Sequence, residues 1–470
     1  MLENLIYFSP MLVLLTAFFV LIFGDHEEEY NCFSFSRIML ILGLVLTIIF
    51  YNKATIPNWT TGSKFPLLFD ILLYGFGLAL LYPSRKWFAS MNVPAYTFCG
   101  FLILTILSGS LLNCSVNLLL TGICCILIML GNYAMLQISI SKKEITWGGK
   151  IYLFAMLICV VLLVGCSFII YRQCGSLMYS DMRAYLEAHQ NDLSAFALMT
   201  GIILPFMFLL ALAPLHFWFT EISSKTVLPV FSYFVLIPII AVTAGFIQLN
   251  VLVLQPLLPY LRLFYIACAL ISVGIGAVGS CSSQNIYKIF AFGSVYHLGI
   301  IFLTMRKFTL NSVNSGFVYF FTYLLAMYGI CTCLFGLKKK GEHLTMLNEF
   351  EGAAYKRPYI SAMMTIFMFS MLGMPPFLGF LGTFSVLNYL ALHHHFYQLI
   401  YLLGTMLIIG YSYIQIIRAL YFEERKSAFD RADSGIYTVI LLLALLMAAV
   451  MLRPYYLITD FRSMLEAVFL

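Results

Sequence analysis

The sequence predicts an all-α, polytopic membrane protein, and three observations carry that prediction. Hydrophobic residues make up 62 % of the 470-residue chain and charged residues 10 %, with a mean hydropathy of +0.96. An ordinary soluble domain is roughly 45–50 % apolar and about 25 % charged. The apolar residues fall in long unbroken runs near the ~20-residue length that a helix needs to cross a bilayer, not in the alternation of a transmembrane barrel. The connections between runs are too short for a second, soluble domain, so residues 1–470 form one membrane domain. The same features exclude a soluble globule, a disordered chain and a disulfide-stapled secreted module.

Fourteen runs follow one another at about 5–24, 38–51, 66–83, 94–113, 116–138, 151–171, 194–218, 227–247, 262–280, 289–305, 315–337, 358–381, 397–417 and 436–452. The first lacks a basic leader and a small-residue cleavage site, so it reads as a retained helix. Asp70, near the start of the third run, reads as an end-of-helix residue at the outer surface. The longer connections are 172–193, with Asp181, Arg183, Glu187 and Asp192, and 338–357, with Lys338-Lys339-Lys340. Asp25-His26-Glu27-Glu28-Glu29 is a short acidic loop, and His393-His394-His395 reads as an outer-face turn rather than a metal site. Ser272, Gly276 and Ser280 have the small-xxx-small spacing of closely packed membrane helices.

The twelve cysteines lie mostly inside apolar runs, as Cys124, Cys125, Cys159, Cys166, Cys268 and Cys281 do. There they behave as small hydrophobes. No C-x-x-C occurs, and Cys331-Thr-Cys333 lacks metal-site spacing. No metal, iron–sulfur cluster or structural disulfide is expected. The formal net charge of +6 is spread over the loops, so nucleic acid is not implied. Of the 26 Lys and Arg, nine fall in loops on the side of the N-terminus and seventeen on the other. The positive-inside rule then puts both termini outside, as an even number of spans requires.

Interior prolines mark candidate breaks in two runs: Pro205 and Pro214 in the seventh, Pro375 and Pro376 in the twelfth. Proline removes a helix hydrogen bond, and in lipid the freed groups need a protein or water partner. Paired breaks point to inverted repeats. The breaks are five spans apart, so residues 94–247 and 262–417 read as two five-helix repeats of opposite orientation.

At these residues the chain resembles the antiporter-like N-subunit family of respiratory complex I, the NADH:quinone oxidoreductase. Pro214-Leu215-His216-Phe217-Trp218 resembles P-F-H-x-W, with Leu228-Pro229-Val230 and Ile237-Pro238-Ile239-Ile240-Ala241 following. Asn285-Ile286-Tyr287-Lys288 and Ser294-Val295-Tyr296-His297-Leu298-Gly299 resemble N-I-K-R and S-S-I-x-H-x-G. Phe350-Glu351-Gly352 and Lys356-Arg357-Pro358 resemble the loop before the twelfth span. Ser370-Met371-Leu372-Gly373-Met374-Pro375-Pro376-Phe377-Leu378-Gly379-Phe380-Leu381-Gly382 resembles S-x-A-G-I-P-P-x-x-G-F-x-G. The resemblance implies a place in a proton-pumping membrane arm, beside other antiporter-like subunits, in a bacterial or mitochondrial inner membrane. Flavin, iron–sulfur clusters and quinone would belong to partner subunits, with no cofactor in this chain. It further implies a buried acid in the fifth span and lysines in the seventh, eighth and twelfth, exchanging protons along a mid-membrane axis.

All four of those positions are uncharged here. The acid falls near Cys124, and the lysines fall on Leu209, Ile239 and Thr383. A relay needs groups that gain and release a proton at working pH. A buried lysine does so because desolvation weakens its hold on the proton. Leucine and isoleucine cannot, threonine can only pass a proton along a water wire, and a buried thiol is a poor carboxylate. The expected function is a complex I membrane subunit with a degenerate proton channel and a mainly structural role. The alternatives are a cation/proton antiporter, alone or in a multi-subunit assembly, and a complex I assembly scaffold. A soluble-type enzyme is not supported, since no phosphate loop, nucleophile motif or paired-carboxylate site occurs.

The candidates for a rerouted proton path are His297, His216, Thr383, Lys150 and Lys288. Each has a plainer reading. His297 can be a histidine hydrogen-bonded within the bundle, and His216 an interfacial residue satisfying broken-helix carbonyls. Lys150 and Lys288 can snorkel to headgroups from inner span ends.

Overall fold

A chain in lipid must close its own backbone hydrogen bonds, and this one does so almost entirely as helix. The computed structural model describes residues 9–24, 29–50, 60, 63–91, 95–139, 147–190, 192–422 and 429–469. The acidic stretch 25–28 lies outside the described residues.

The first helices are α1 (Ser9–Phe23), α2 (Glu29–Phe50), α3 (Lys64–Met91), α4 (Ala95–Cys114), α5 (Leu118–Ser139) and α6 (Trp147–Cys174). A short α7 (Tyr179–Ala188) follows in the polar connection, then α8 (Leu193–Leu209), α9 (Phe217–Ser223), α10 (Leu228–Phe234) and α11 (Ile237–Leu252). Next come α12 (Leu258–Ser282), α13 (Ile286–Met305) and α14 (Leu310–Gly336). A hairpin of β1 (Lys338–Lys339) and β2 (Glu342–His343) precedes α15 (Ala353–Lys356), α16 (Pro358–Met371), α17 (Gly379–Leu392), α18 (Phe396–Tyr421), α19 (Ser434–Leu452) and α20 (Pro454–Glu466). Eleven helical segments among the described residues are long and apolar enough to cross a membrane. Among the described residues α1, α8, α16 and α17 are shorter apolar helices; counted as α1 and the two interrupted segments α8–α9 and α16–α17, they bring the candidate spans to fourteen.

The chain divides into two compact units. Unit 1 comprises residues 1–210, 233–263 and 464–470, and unit 2 comprises residues 211–232 and 264–463. Within unit 1, α11 is buried along nearly its whole length. It packs on α4, where a Cβ on Gly109 would come within 2.7 Å of Ala241 and one on Gly245 within 2.5 Å of Leu112. Within unit 2, α12 and α13 approach as closely: a Cβ on Gly276 would lie 2.5 Å from the Tyr296 nitrogen. Ser280 Oγ donates to the Ile289 carbonyl (3.3 Å) and pairs with Ser412 Oγ (2.7 Å). The small-residue spacing of α12 thus buries a helix contact, in which backbones touch.

The breaks differ from the expected positions in an instructive way. Pro205 does not end its helix; α8 continues to Leu209. The seventh span opens at residues 210–216 instead, with Ala211 in the left-handed region (φ 49°). Ala213 N–H, freed there, donates to Ser272 Oγ at 2.8 Å. In the twelfth span α16 stops at Met371. Gly373 (φ 72°) donates to Ser370 O (2.9 Å) and Met374 to Phe369 O (3.1 Å). That pair of bonds is the Schellman stop, which needs a left-handed residue where glycine stands. Helix resumes at Gly379 and runs to Leu392, eleven residues past the expected end at 381, so Thr383 lies inside a helix. A Cβ on Gly379 would overlap the Ser370 carbonyl oxygen. The three histidines 393–395 form a second Schellman stop, with His394 left-handed (φ 58°), His394 N to Ala391 O at 3.0 Å and His395 N to Leu390 O at 2.9 Å.

The basic run at 338–340 is an ordered hairpin. Asp430 fastens it, accepting from Gly341 N (2.6 Å) and donating its own N–H to Lys338 O (2.9 Å), while Arg357 Nε holds the Asp430 carbonyl at 3.0 Å. Burial, and secondarily the Lys338 charge, push the His343 imidazole down from its ordinary 6.5 to about 3.

Three outcomes follow. Gly379→Ala lowers the thermal stability of the purified protein by on the order of 2–3 kcal/mol, because the Ser370 backbone must move. Gly404→Ala, whose Cβ would meet nothing within 4 Å, is neutral or stabilising by up to ~1 kcal/mol. His343 stays neutral when folded but takes up a proton when unfolded. Its contribution is therefore present above pH ~6.5 and is lost as pH falls, by about 2 kcal/mol at pH ~5. The thermal midpoint falls less across that interval in His343→Asn than in the parent.

Candidate functional site in the membrane interior

In unit 1, the positions that the resemblance assigns to charged groups are buried and apolar. Cys124 sits in the second turn of α5, Leu209 is the last residue of α8 and Ile239 lies in the first turn of α11. Apart from Asp70, buried polarity in this unit is carried by neutral groups. Tyr233 Oη donates to Asn132 Oδ1 (2.8 Å) and meets Thr105 Oγ1 (2.7 Å); Tyr152 Oη donates to the Met129 carbonyl (2.9 Å). Hydroxyls and a carboxamide can orient water and one another but take no charge near neutral pH. Ser115, Thr121 and Tyr179 form a second hydroxyl chain, at 2.9 and 2.6 Å.

Asp70 is not the surface residue its position suggested. It is 5 % exposed, in the second turn of α3, and accepts from Asn113 Nδ2 at 2.7 Å. The asparagine comes from the last turn of α4, which covers the carboxyl from the side; sequence position alone does not reveal that cover.

In unit 2 the centre is His297, 1 % exposed in mid-α13. Its Nδ1 lies 2.8 Å from Tyr319 Oη on α14, and its Nε2 lies 3.2 Å from Tyr413 Oη on α18. Tyr323, one turn beyond Tyr319, faces the imidazole at 5.2 Å between ring centroids and donates to Ser294 Oγ at 3.0 Å. A neutral imidazole has one donor and one acceptor nitrogen. One tyrosine therefore accepts and the other donates, and both nitrogens are satisfied without a net charge.

Thr383, 7 % exposed on α17, stands beside the twelfth-span break, where a Cβ on Gly373 would overlap it. Its neighbour Gly382 lies against α14: a Cβ there would overlap Thr322 Oγ1 and come within 2.9 Å of the Tyr319 Cα. The α14 turn that touches the break therefore also carries the hydroxyl bonded to His297. His297 and Thr383 belong to one polar neighbourhood by this route.

The other candidates stand apart from it. Lys288 is in the first turn of α13, nine residues before His297 and so roughly 13 Å away along the axis. It is half-buried, and its backbone N–H donates to Asn285 Oδ1 at 3.1 Å. His216 caps the start of α9, half-buried, with its Nδ1 unpartnered. Lys150 is an exposed residue in the first turn of α6, in unit 1. Pro214, Pro375 and Pro376 lie within the breaks, whereas Pro205 lies within α8.

Reading the sequence missed Tyr319, Tyr323, Tyr413, Ser294, Tyr233 and Asn132. Tyr319 and Tyr323 have the four-residue spacing of one helix face, a signal easily taken for ordinary core. Tyr413 is 116 residues from His297, and nothing local marks it. Among the described residues no group of three His, Cys, Asp or Glu side chains is placed to hold a metal ion, and the twelve cysteines are free thiols.

Comparison with known proteins bears on these interiors. Residues 108–410 match the family described as NADH:quinone oxidoreductase/Mrp antiporter, transmembrane. The chain is 27 % identical over 432 residues to a Coxiella burnetii protein named NADH-quinone oxidoreductase subunit N, covering 90 % of this chain and 88 % of that one. Its fold is similar to a chain of respiratory complex I from Thermus thermophilus, with a TM-score of 0.79 at 18 % identity, covering 95 % of this chain and 98 % of that one. It is also similar to a chain of the Mrp complex from Dietzia, with a TM-score of 0.84 at 14 % identity, covering 100 % and 98 %.

Tyr413→Phe strands one buried imidazole nitrogen and costs about 1–3 kcal/mol. His297→Leu costs a similar amount by stranding two hydroxyls. The double variant, followed by thermal unfolding of the purified protein, loses less than the sum of the two.

Proposed function

Because the chain belongs to the NADH:quinone oxidoreductase/Mrp antiporter transmembrane family, matched over residues 108–410, we propose that it is the N-type antiporter-like subunit in the membrane arm of a proton-translocating NADH:quinone oxidoreductase. Its own proton channel is degenerate, and its role is mainly to link neighbouring membrane subunits. Flavin, iron–sulfur clusters and quinone reside in partner subunits. The chain lies in a bacterial or mitochondrial inner membrane with both termini outside, a sidedness supported by the nine-to-seventeen division of Lys and Arg.

One observation carries the loss of pumping. Leu209, Ile239, Thr383 and Cys124 stand where the family resemblance implies three lysines and an acid, and all four are buried. Charges inside a membrane are expensive and are kept for function. Their replacement by apolar or neutral side chains leaves a bundle that packs well and cannot store a proton at those points. The tyrosine–histidine cluster at His297 is satisfied as a neutral network, which favours its structural reading over a relay.

The two breaks support the inverted repeats over 94–247 and 262–417. Each opens after a full helix, at a left-handed residue (Ala211, Gly373), and each is followed by a helix that resumes within a few residues. The repeats describe chain order, whereas the compact units group residues differently: 211–232, from the first repeat, belongs to unit 2.

The test is the number of protons moved per NADH oxidised, measured in sealed vesicles bearing the intact complex. If this is the complex's sole N-type subunit, the ratio is lower than in relatives with all four charged positions, and His297→Leu leaves it unchanged. A normal ratio, with the other subunits keeping their own channels, overturns the degeneracy. Absence of the chain from the purified mature complex favours an assembly scaffold. Cation–proton exchange by the chain reconstituted alone favours an antiporter.

A further inference from the structure

Asp70 is the one carboxylate buried among the described residues, and nothing in the function above uses it. It has no ion-pair partner: the described salt bridges, Arg183–Glu187 and Lys225–Glu221, lie elsewhere. The elements packed on α3 bring no charge to it. Helices α4 and α11 contain no charged residue at all. On α2 the basic residue is Arg37, ten residues before Thr47 and so roughly 15 Å along the axis from the turn that meets Tyr74. On α3 itself the nearest charge is Lys64, exposed and six residues back. The groups near the carboxyl are neutral: Asn113, Ser110, Cys114 and Tyr74.

Asn113 decides the protonation state. Its Nδ2 donates to Asp70 Oδ1 at 2.7 Å, yet its own Oδ1 is buried with no donor. An ionised carboxylate can only accept, so it leaves that oxygen stranded and its own charge uncompensated. A carboxylic acid removes both costs. Its O–H would give Asn113 Oδ1 a donor while Asn113 Nδ2 donates back, as in a cyclic acid–amide pair. Tyr74 Oη, one turn along α3, is likewise buried without a partner. We propose that Asp70 is a proton-binding site of unit 1, holding an exchangeable proton shared with the Asn113 carboxamide. The proposal goes beyond the subunit's assignment and does not depend on it, because a local proton site needs no continuous path across the membrane.

A buried carboxylic acid in lipid has a diagnostic reaction with a lipid-soluble carbodiimide. The acid proton passes to one carbodiimide nitrogen, and the carboxyl oxygen adds to the central carbon to give an O-acylisourea. Migration of the acyl group to nitrogen leaves a stable N-acylurea, with no atom lost. The experiment treats the purified complex containing the full chain with dicyclohexylcarbodiimide at neutral pH and maps adducts by peptide mass spectrometry. The expected result is an adduct on Asp70 that Asp70→Asn abolishes. Infrared difference spectra between the parent and Asp70→Asn supply the second reading. A carboxylic-acid carbonyl band present in the parent, absent in the variant and moved by D2O establishes the exchangeable proton. A carboxylate band in its place sinks the proposal, and an acid band indifferent to D2O overturns the exchange. Where Asp70→Asn does not assemble, Asp70→Glu keeps the carboxyl and displaces the same band.

Discussion

Lipid offers no hydrogen bonds, and the architecture depends on how the chain answers that constraint where its helices are interrupted. An unbroken helix needs nothing from outside; an opened one needs a partner for every freed group. Unit 2 supplies them in two ways. Ser272 reaches Ala213 N–H from a different helix, and Ser370 reaches across its own break, accepting from Gly373 N–H through its carbonyl and from Gly379 N–H through its hydroxyl at 2.9 Å. Small residues are the corollary. Gly276, Gly379 and Gly382 stand where backbones come close enough for such short side chains to serve.

The same constraint governs charge. A family whose resemblance implies buried lysines and a buried acid keeps them against a steep solvation cost. At the positions the resemblance assigns to them this chain carries Cys124, Leu209, Ile239 and Thr383, and the polar networks nearby are neutral: Tyr233 with Asn132 and Thr105, His297 between two tyrosines, Thr383 beside a glycine. Each network is satisfied or nearly so without a charge. Asp70 and Arg306 are the exceptions among the buried groups, and the carboxamide beside Asp70 is what would let its carboxyl be kept as a neutral acid.

Most of the fold was legible because the signal for a membrane span is length and apolarity, and both are local. The number of spans, the paired breaks and the close packing at Ser272, Gly276 and Ser280 all follow from short windows of sequence. The exact opening of the seventh span did not, because Pro205 marks a missing donor, while the helix ends where the backbone turns at Ala211. The twelfth ran longer than its expected end at 381, because helix resumes at Gly379 after the break and continues to Leu392. Of the candidate site, His297 was visible as a polar residue in an apolar run. Its partners were not, since Tyr319 and Tyr413 lie 22 and 116 residues away and look like any aromatic in a membrane helix. Asp70 was misplaced for the same reason: the sequence shows where a residue sits along its helix, not what lies over it.

Residues 211–232 belong with chain that comes later, and this sets a schedule for biogenesis. Ala213 leaves the ribosome 59 residues ahead of the serine that accepts its N–H. At typical synthesis rates of about 5–20 residues per second, that gap lasts roughly 3–12 s. Throughout it, the opened segment waits for the hydroxyl that is to accept its Ala213 N–H. Phe231, likewise, waits for the Tyr287 ring that stacks on it at 5.0 Å. The seventh span is therefore where an insertase or chaperone has the most to shield, and where a ribosomal pause would be most costly.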